Sequence, residues 1–488
     1  MSQQIATPPR DVESLEEKNS ITDATALPTL GAAQTKSDGL TDFHYDEEAE
    51  THRANIGNAR IAGLEKDLGM NPKSYQYNIL LTSFYIAYVV AEIPSTMMTK
   101  FVGPGRWIPF ITFLFGLLSI CNAFVTNFNE AVGVRFVLGI AEAGMLPSIA
   151  FYLARWYRKD ELAFRCAMYI VMSPGAGAFG GLLASGILRI GDFAGIERWE
   201  KIFFIEGLIT VAISIFAWFT ITNSIDSARW LSEEEKELAR ARMLSEQVGQ
   251  KTLIDKARLR SVIRGITAPT SLVCATMFFF DNVTVQGIAF FLPSIVRTLF
   301  PGKTVIQQQL LTVPPNVFGG VCVLVVAYCS TKFKVRGLVI AFTSLFTAAG
   351  YVMYLASSQT NTRYAASFLA TVGCYAHGAV VPAWATINTN NDSERAGAIG
   401  IVVLLGNFGG LAATWTYLPK HAPNQVPGNA VNLAGALYIT VASLGLVAWQ
   451  RYMNARGQSG KRDHEIEGMT QEQIDELGSR HPRFLYRC

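Results

Sequence analysis

Residues 131–154, AVGVRFVLGIAEAGMLPSIAFYLA, decide the fold of this chain. A helix needs about 20 mostly apolar residues to cross a bilayer, and this stretch is long enough and apolar enough to do so. Its charged residues are Arg135 and Glu142, which are two helical turns apart and therefore lie on the same face. Charged side chains are costly at this depth in a bilayer, so both residues are candidates for function.

Ten further apolar runs of similar length surround this one. They lie near residues 76–99, 107–127, 166–190, 202–222, 267–298, 307–330, 338–358, 363–388, 396–419 and 431–450. Half of the 488 residues are hydrophobic and only 16% are charged, whereas soluble domains carry about 25% charged residues. We therefore predict an all-α membrane protein with about eleven full spans. The net charge of +3 and the absence of a basic run interleaved with aromatics make nucleic acid an unexpected partner.

A polar stretch at residues 223–264 separates the first five spans from the last six. Ser232 and Glu235 within it have the spacing of a capping box, which predicts a surface helix beginning there. The resulting organisation is a polar, disordered N-terminal tail, an N-terminal membrane half, a cytosolic connector, a C-terminal membrane half and a cytosolic C-terminal tail. The predicted boundaries are 1–52, 53–222, 223–264, 265–452 and 453–488.

The distribution of Lys and Arg predicts which loops are cytosolic. Loops 100–106, 155–165, 331–337 and 394–395, together with the connector, hold nineteen of these residues, and the alternate loops hold seven. Positively charged loops face the cytosol, so the first set is predicted to be cytosolic. Eleven spans then place the N-terminal tail outside, although residues 1–52 contain no apolar segment of the kind that directs export. We therefore expect one span to be incomplete or absent.

Several short motifs occur in a recognisable order along about 400 residues. They are HRANIGNAR at 52–60, EIPS at 92–95, GPGRW at 103–107, RFVLGIAEAG at 135–144 and GNFGG at 406–410. In this order the motifs resemble those of the fungal allantoate permease family, an anion:cation symporter branch of the major facilitator superfamily. The resemblance implies a major facilitator fold with two pseudo-symmetric helical halves. It also implies proton-coupled transport of a small organic anion by alternating access.

The sequence departs from the family pattern at its first helix. Where the family has an apolar half-helix, residues 41–51 read TDFHYDEEAET. Each charge near a helix centre costs about 2.5–3.5 kcal/mol on insertion scales, so we predict a truncated first helix. His52 stands where the family has Asp, and Thr331 replaces another family Asp.

These departures keep two alternatives open. One is an exporter of a secondary metabolite with the same fold, and the other is a non-transporting or defective paralogue. An integral-membrane enzyme is disfavoured, because the chain has only six histidines, no HExxH motif and no nucleophile elbow.

Five residues are candidates for transport. An Arg can hold a carboxylate in bidentate fashion, and a nearby buried Glu can take a proton, so Arg135 is a candidate for anion binding and Glu142 for proton coupling. The resemblance implies the same roles and adds Arg53 as an anion ligand. Gln286 and Asn407 are predicted to make polar contacts with substrate. We predict no catalytic residue.

The expected partners are a small organic anion, protons and the lipid bilayer. The chain has no GxxxxGK loop to cradle a phosphate, and its cysteines lack metal-ligand spacing, so we expect no cofactor and no metal. We expect a monomer. The resemblance implies the plasma membrane as its location.

Overall fold

The computed structural model describes residues 55–71, 73–156, 175–191, 195–196, 198–228, 230–244, 259–333, 335–390, 392–459, 479, 481–482 and 484–487. Most of these residues are helical. In the N-terminal half the helices are α1 at 55–62, α2 (Leu64–Asp67), α3 (Gln76–Val102), α4 (Pro104–Asn122), α5 (Phe128–Glu142), α6 (Met145–Trp156), α7 (Gly175–Ile187) and α8 (Arg198–Thr220).

The predicted connector contains a short 3-10 helix (Ile225–Ser227) and then a surface helix, α9 (Glu233–Leu244), and the described residues resume at α10 (Leu259–Thr267). The predicted capping box is confirmed: the backbone N–H of Glu235 donates to Ser232 Oγ over 3.2 Å, and the backbone N–H of Ser232 donates to Glu235 Oε2 over 2.8 Å. The helices of the C-terminal half are α11 (Pro269–Leu299), α12 (Val305–Leu310), α13 (Val313–Phe333), α14 (Arg336–Ala356), α15 (Thr360–Ile387), α16 (Asp392–Ala413) and α17 (Val426–Gln458).

The described helices account for most of the predicted spans. Among the described residues, nine segments are long and apolar enough to cross a membrane, and α3 makes a tenth, bent by 47° where Pro94 interrupts it. A proline bends a helix because it lacks the backbone N–H and crowds the preceding turn. The eleventh predicted span, 166–190, falls partly outside the described residues, which contain its last part as α7. The prediction of an all-α membrane protein is confirmed.

Helix α1 lies between the two halves of the molecule. Ile56 is fully buried, and Asn55 donates a hydrogen bond from Nδ2 to Glu206 Oε2 of α8. Gly57 packs against α11 so closely that a Cβ atom at this position would lie 2.8 Å from the carbonyl oxygen of Phe290. A glycine is therefore required at residue 57. The contacts hold α1 against one helix from each half.

The two halves also meet directly at the ends of their helices that the charge distribution predicts to be extracellular. Thr82 of α3 lies 3.0 Å from Thr414, hydroxyl to hydroxyl, and Trp415 Nε1 donates to Thr82 Oγ1 over 2.9 Å. Tyr77 and Phe291 pack edge to face with ring centroids 6.0 Å apart. These contacts close the molecule at that end.

The end of the C-terminal tail is docked on the opposite side of the C-terminal half. Asn388 Nδ2 donates to the carbonyl of Arg487 over 3.0 Å, and its Oδ1 accepts from the N–H of Arg487 over 2.8 Å. Asn454 makes the same pair of bonds with Tyr486, each 2.8 Å long. Two asparagine amides thus hold consecutive peptide groups of residues 484–487.

Candidate functional site

A break in the third predicted span, 131–154, positions Glu142. Helix α5 ends at Glu142 and α6 begins at Met145, although the two helices form one continuous apolar segment, Phe128–Leu153. Gly144 within the break has a φ of +82°, which strains any residue with a side chain, and a Cβ atom there would collide with Ser95 of α3. The glycine allows the chain to turn directly after Glu142 and to pack against α3.

Arg135 and Glu142 are both inside the protein. Arg135 is 3% exposed and Glu142 is fully buried. The guanidinium carbon of Arg135 lies 5.2 Å from the ring centroid of Phe203, and its charge interacts with Glu142 and with the hydroxyl of Tyr77. An ionised Glu142 would face the negative end of the α5 dipole in a low dielectric, and Arg135 is a cation close enough to offset that cost.

Two donors of Arg135 lack hydrogen-bond partners. Among the described residues, no group accepts from its Nε or Nη2 atoms, although both are buried. These two N–H groups belong to one edge of the guanidinium plane, the edge that can hold both oxygens of a carboxylate. Leaving buried donors of a charged group unpaired costs free energy, so the arrangement favours an anionic ligand at this edge.

A cavity connects this pair of residues with both halves of the protein. Its lining residues are Ile56, Leu80, Leu81, Phe84, Tyr85, Arg135, Glu142 and Phe290. Phe290 comes from α11 in the C-terminal half, and Ile56 comes from α1. The free space at the centre holds about one water molecule. The site is occluded, and the halves must separate to admit a substrate.

The other predicted site residues have different positions. Gln286 is 5% exposed and lies one turn before Phe290 on α11, and its Oε1 has no hydrogen-bond partner among the described residues. It is not part of the lining of the cavity. Asn407 of α16 donates from Nδ2 to Glu92 Oε2 of α3 over 2.6 Å, so it joins the two halves. Arg53 lies outside the described residues.

Sequence reasoning did not identify the apolar wall of the cavity. Phe84, Tyr85 and Phe290 occur in hydrophobic helices, where aromatic residues usually indicate packing. Nothing in their spacing distinguishes a lining residue from a core residue. The two charged residues, in contrast, are conspicuous in an apolar segment.

Comparison with known proteins identifies a family and several relatives that this chain resembles. The Major Facilitator Superfamily model matches residues 53–414. An uncharacterized transporter of Schizosaccharomyces pombe is 32% identical over 413 residues, which cover 83% of this chain and 80% of that protein. The fold resembles that of the E. coli xylose transporter XylE in a partially occluded inward-open conformation, with a TM-score of 0.64 and 14% identity over 83% of this chain and 97% of the other. It also resembles a D-xylose–proton symporter, with a TM-score of 0.62 and 12% identity over 83% and 96% of the two chains.

The bundle of membrane-spanning helices and the occluded site between its halves define a multi-pass membrane transporter rather than an enzyme. The chain belongs to the Major Facilitator Superfamily.

Proposed function

We propose that this transporter moves a small organic anion together with a proton by alternating access. The observation that carries the proposal is the buried guanidinium of Arg135, which has two donors without a partner among the described residues and belongs to a residue that lines the cavity between the halves. A buried cation with two free parallel donors suits a carboxylate better than a neutral sugar or a cation. The allantoate permease branch fits this chemistry.

Glu142 is proposed to carry the coupled proton. It lies two turns from Arg135 on the same face, about 10 Å along the helix axis. An anion held by Arg135 would neutralise the positive charge that supports an ionised Glu142 and would therefore favour uptake of a proton there. Because Glu142 and Arg135 are in the same cavity, anion and proton would be loaded together.

The occluded geometry supports alternating access. The contacts of Thr82, Trp415 and Tyr77 join the two halves at one end of the molecule, and the lining of the cavity comes from both halves. One structural neighbour is a proton symporter, so the fold accommodates such coupling. The proposed location is the plasma membrane, and the proposed state is a monomer. Export of an anionic metabolite would use the same site in the opposite direction.

The test uses the purified full-length chain in proteoliposomes with a pH-sensitive dye inside. A panel of small mono- and dicarboxylates and ureides is added outside under an inward proton gradient, and internal acidification reports co-transport. For a substrate found in this way, Glu142→Gln should abolish acid-driven accumulation while exchange of labelled substrate continues. Arg135→Lys should weaken uptake about 10- to 150-fold, because one charge-assisted hydrogen bond of about 1.5–3 kcal/mol is lost.

Two matched variants control for the loss of charge itself. Glu130 is exposed at the start of the same helix, and Arg297 is exposed near the end of α11. Glu130→Gln and Arg297→Gln should leave uptake unchanged. Acid-driven accumulation that persists in Glu142→Gln would remove Glu142 from the coupling role. Substrates confined to neutral or cationic compounds would refute the anion assignment.

A further inference from the structure

A second pair of titratable side chains is buried in the C-terminal half. Asp281 of α11 and His377 of α15 are each 1% exposed, and His377 Nδ1 lies 3.1 Å from Asp281 Oδ1. Both residues occur inside long apolar helices, away from the helix ends. The pair is separate from the cavity that contains Arg135 and Glu142.

The other ring nitrogen of His377 faces two oxygen atoms. Its Nε2 lies 3.1 Å from Thr343 Oγ1 and 3.3 Å from the carbonyl oxygen of Ile340. The carbonyl can only accept a hydrogen bond, whereas the threonine hydroxyl can donate or accept. Thr343 Oγ1 also lies 2.9 Å from the carbonyl of Val339 and 3.2 Å from that of Ile340, to either of which it can donate instead. The hydroxyl can therefore donate to the histidine ring or to a backbone carbonyl.

These contacts accommodate two arrangements that differ by one proton. In the first, Thr343 donates to the carbonyl of Val339, and His377 carries a proton on Nε2 and donates from it. A second proton must then lie between His377 Nδ1 and Asp281 Oδ1, bound to one of these two atoms, to form the hydrogen bond between them. In the second, Thr343 donates to Nε2, and Nδ1–H donates to an ionised Asp281. The first arrangement has no net charge, and the second carries one negative charge. Rotation of one hydroxyl converts the hydrogen-bond pattern of one into that of the other.

In the described surroundings, the net charge of Asp281 and His377 depends on whether the pair itself has bound a proton. Asp281 Oδ2 is buried and has no hydrogen-bond partner among the described residues. Among the described residues, the titratable groups in electrostatic contact with Asp281 are His377 and the thiol of Cys374, both on α15. On α17, which also packs against α11, the hydroxyl of Tyr438 is turned to Thr276 at 2.7 Å.

We propose that Asp281, His377 and Thr343 form a binding site for a single proton in the C-terminal half. When the proton leaves, the threonine hydroxyl rotates and donates a hydrogen bond to His377 Nε2. The site is independent of the proposed role of Glu142, because the two groups lie in different halves. It gives the C-terminal half a charge that changes with protonation at a depth where a change of charge is costly.

Histidine nitrogen-15 NMR of the full-length protein in lipid nanodiscs tests the proposal. The chain has six histidines, and His377→Gln assigns the relevant signal by its loss. As the pH is raised, Nε2 of His377 should change from a protonated to an unprotonated nitrogen in one step. Thr343→Val removes the donor of the deprotonated arrangement and should raise proton affinity about tenfold. Asp281→Asn removes the carboxylate and should lower it at least about tenfold.

The matched control is Thr347→Val, one turn further along α14, where the hydroxyl lies 3.4 Å from the carbonyl of Ala370. This variant should leave the titration of His377 unchanged. A His377 signal that does not move as the pH is raised would overturn the proposal in favour of a fixed structural pair. Equal shifts in Thr343→Val and Thr347→Val would overturn the role of Thr343. The measurement uses no substrate, so its failure would leave the transport proposal standing.

Discussion

The hydrogen bond between Asn407 and Glu92 links the two halves near the bend in α3. Its Nδ2–Oε2 distance is 2.6 Å, and both residues are partly buried. A hydrogen bond to a charged group contributes about 1.5–3 kcal/mol to stability. If the bond exists only while the outer end is closed, Asn407→Ala should shift the equilibrium toward the outward-open state by about 10- to 150-fold.

Double electron–electron resonance, which measures the distance between two spin labels, can detect this shift. Lys73 and Lys303 are exposed at the predicted extracellular ends of the two halves, and both can be replaced by labelled cysteines in a chain whose native cysteines have been removed. Asn407→Ala should increase the population with the longer distance. Glu92→Gln should have a smaller effect, because an amide oxygen can still accept the bond from Asn407.

Asn407→Asp provides the sharpest form of the experiment. Two carboxyl groups at this separation must share a proton to remain in contact, since two ionised groups repel each other. The outer end should therefore open as the pH rises in this variant and close again as it falls. A distance distribution in Asn407→Ala that matches the unmodified protein would refute the idea that this bond stabilises the closed state.

Two further predictions concern packing and the C-terminal tail. Gly144→Ala should lower the free energy of unfolding of the purified protein by about 1–3 kcal/mol, because φ is +82° and Ser95 occupies the space. Gly133→Ala, on the preceding helix α5, should be neutral, since nothing lies within 4 Å of its Cβ position. Equal midpoints for these two variants in a melting experiment would contradict the argument. Replacing Asn388 and Asn454 together by Ala should accelerate amide hydrogen exchange of residues 486 and 487 at least about tenfold. The control variant Asn361→Ala, at an exposed position, should not change this exchange. Unchanged exchange in the double variant would show that the two amides do not hold the tail.

The fold could be predicted from the sequence because a bilayer imposes a simple length requirement. Apolar runs such as 131–154 and 202–222 correspond to described helices within a few residues. The start of α9 was predicted for a similar reason, since Ser232 and Glu235 form local hydrogen bonds that need no tertiary contact. The bend in α3 follows from Pro94 by the same local logic.

The candidate site could be predicted only in part. Arg135 and Glu142 stand out because charge inside an apolar helix is rare, and their spacing of two turns is a local property. Asn407 was interpreted as a substrate contact, and the structure gives it a bond to Glu92 in the other half of the chain. No local rule connects residues 315 positions apart in the chain.

The sequence by itself therefore determined which segments cross the membrane, where the surface connector helix begins, and which charged residues are buried in a span. These properties depend on hydrophobicity, helix periodicity and capping, all of which act over a few residues. Only the tertiary structure decided that α1 is held between the halves, that the cavity is occluded, and that Asp281 meets His377 and Thr343. Those arrangements depend on how helices distant in the chain pack together, and an apolar helical surface does not specify its partner.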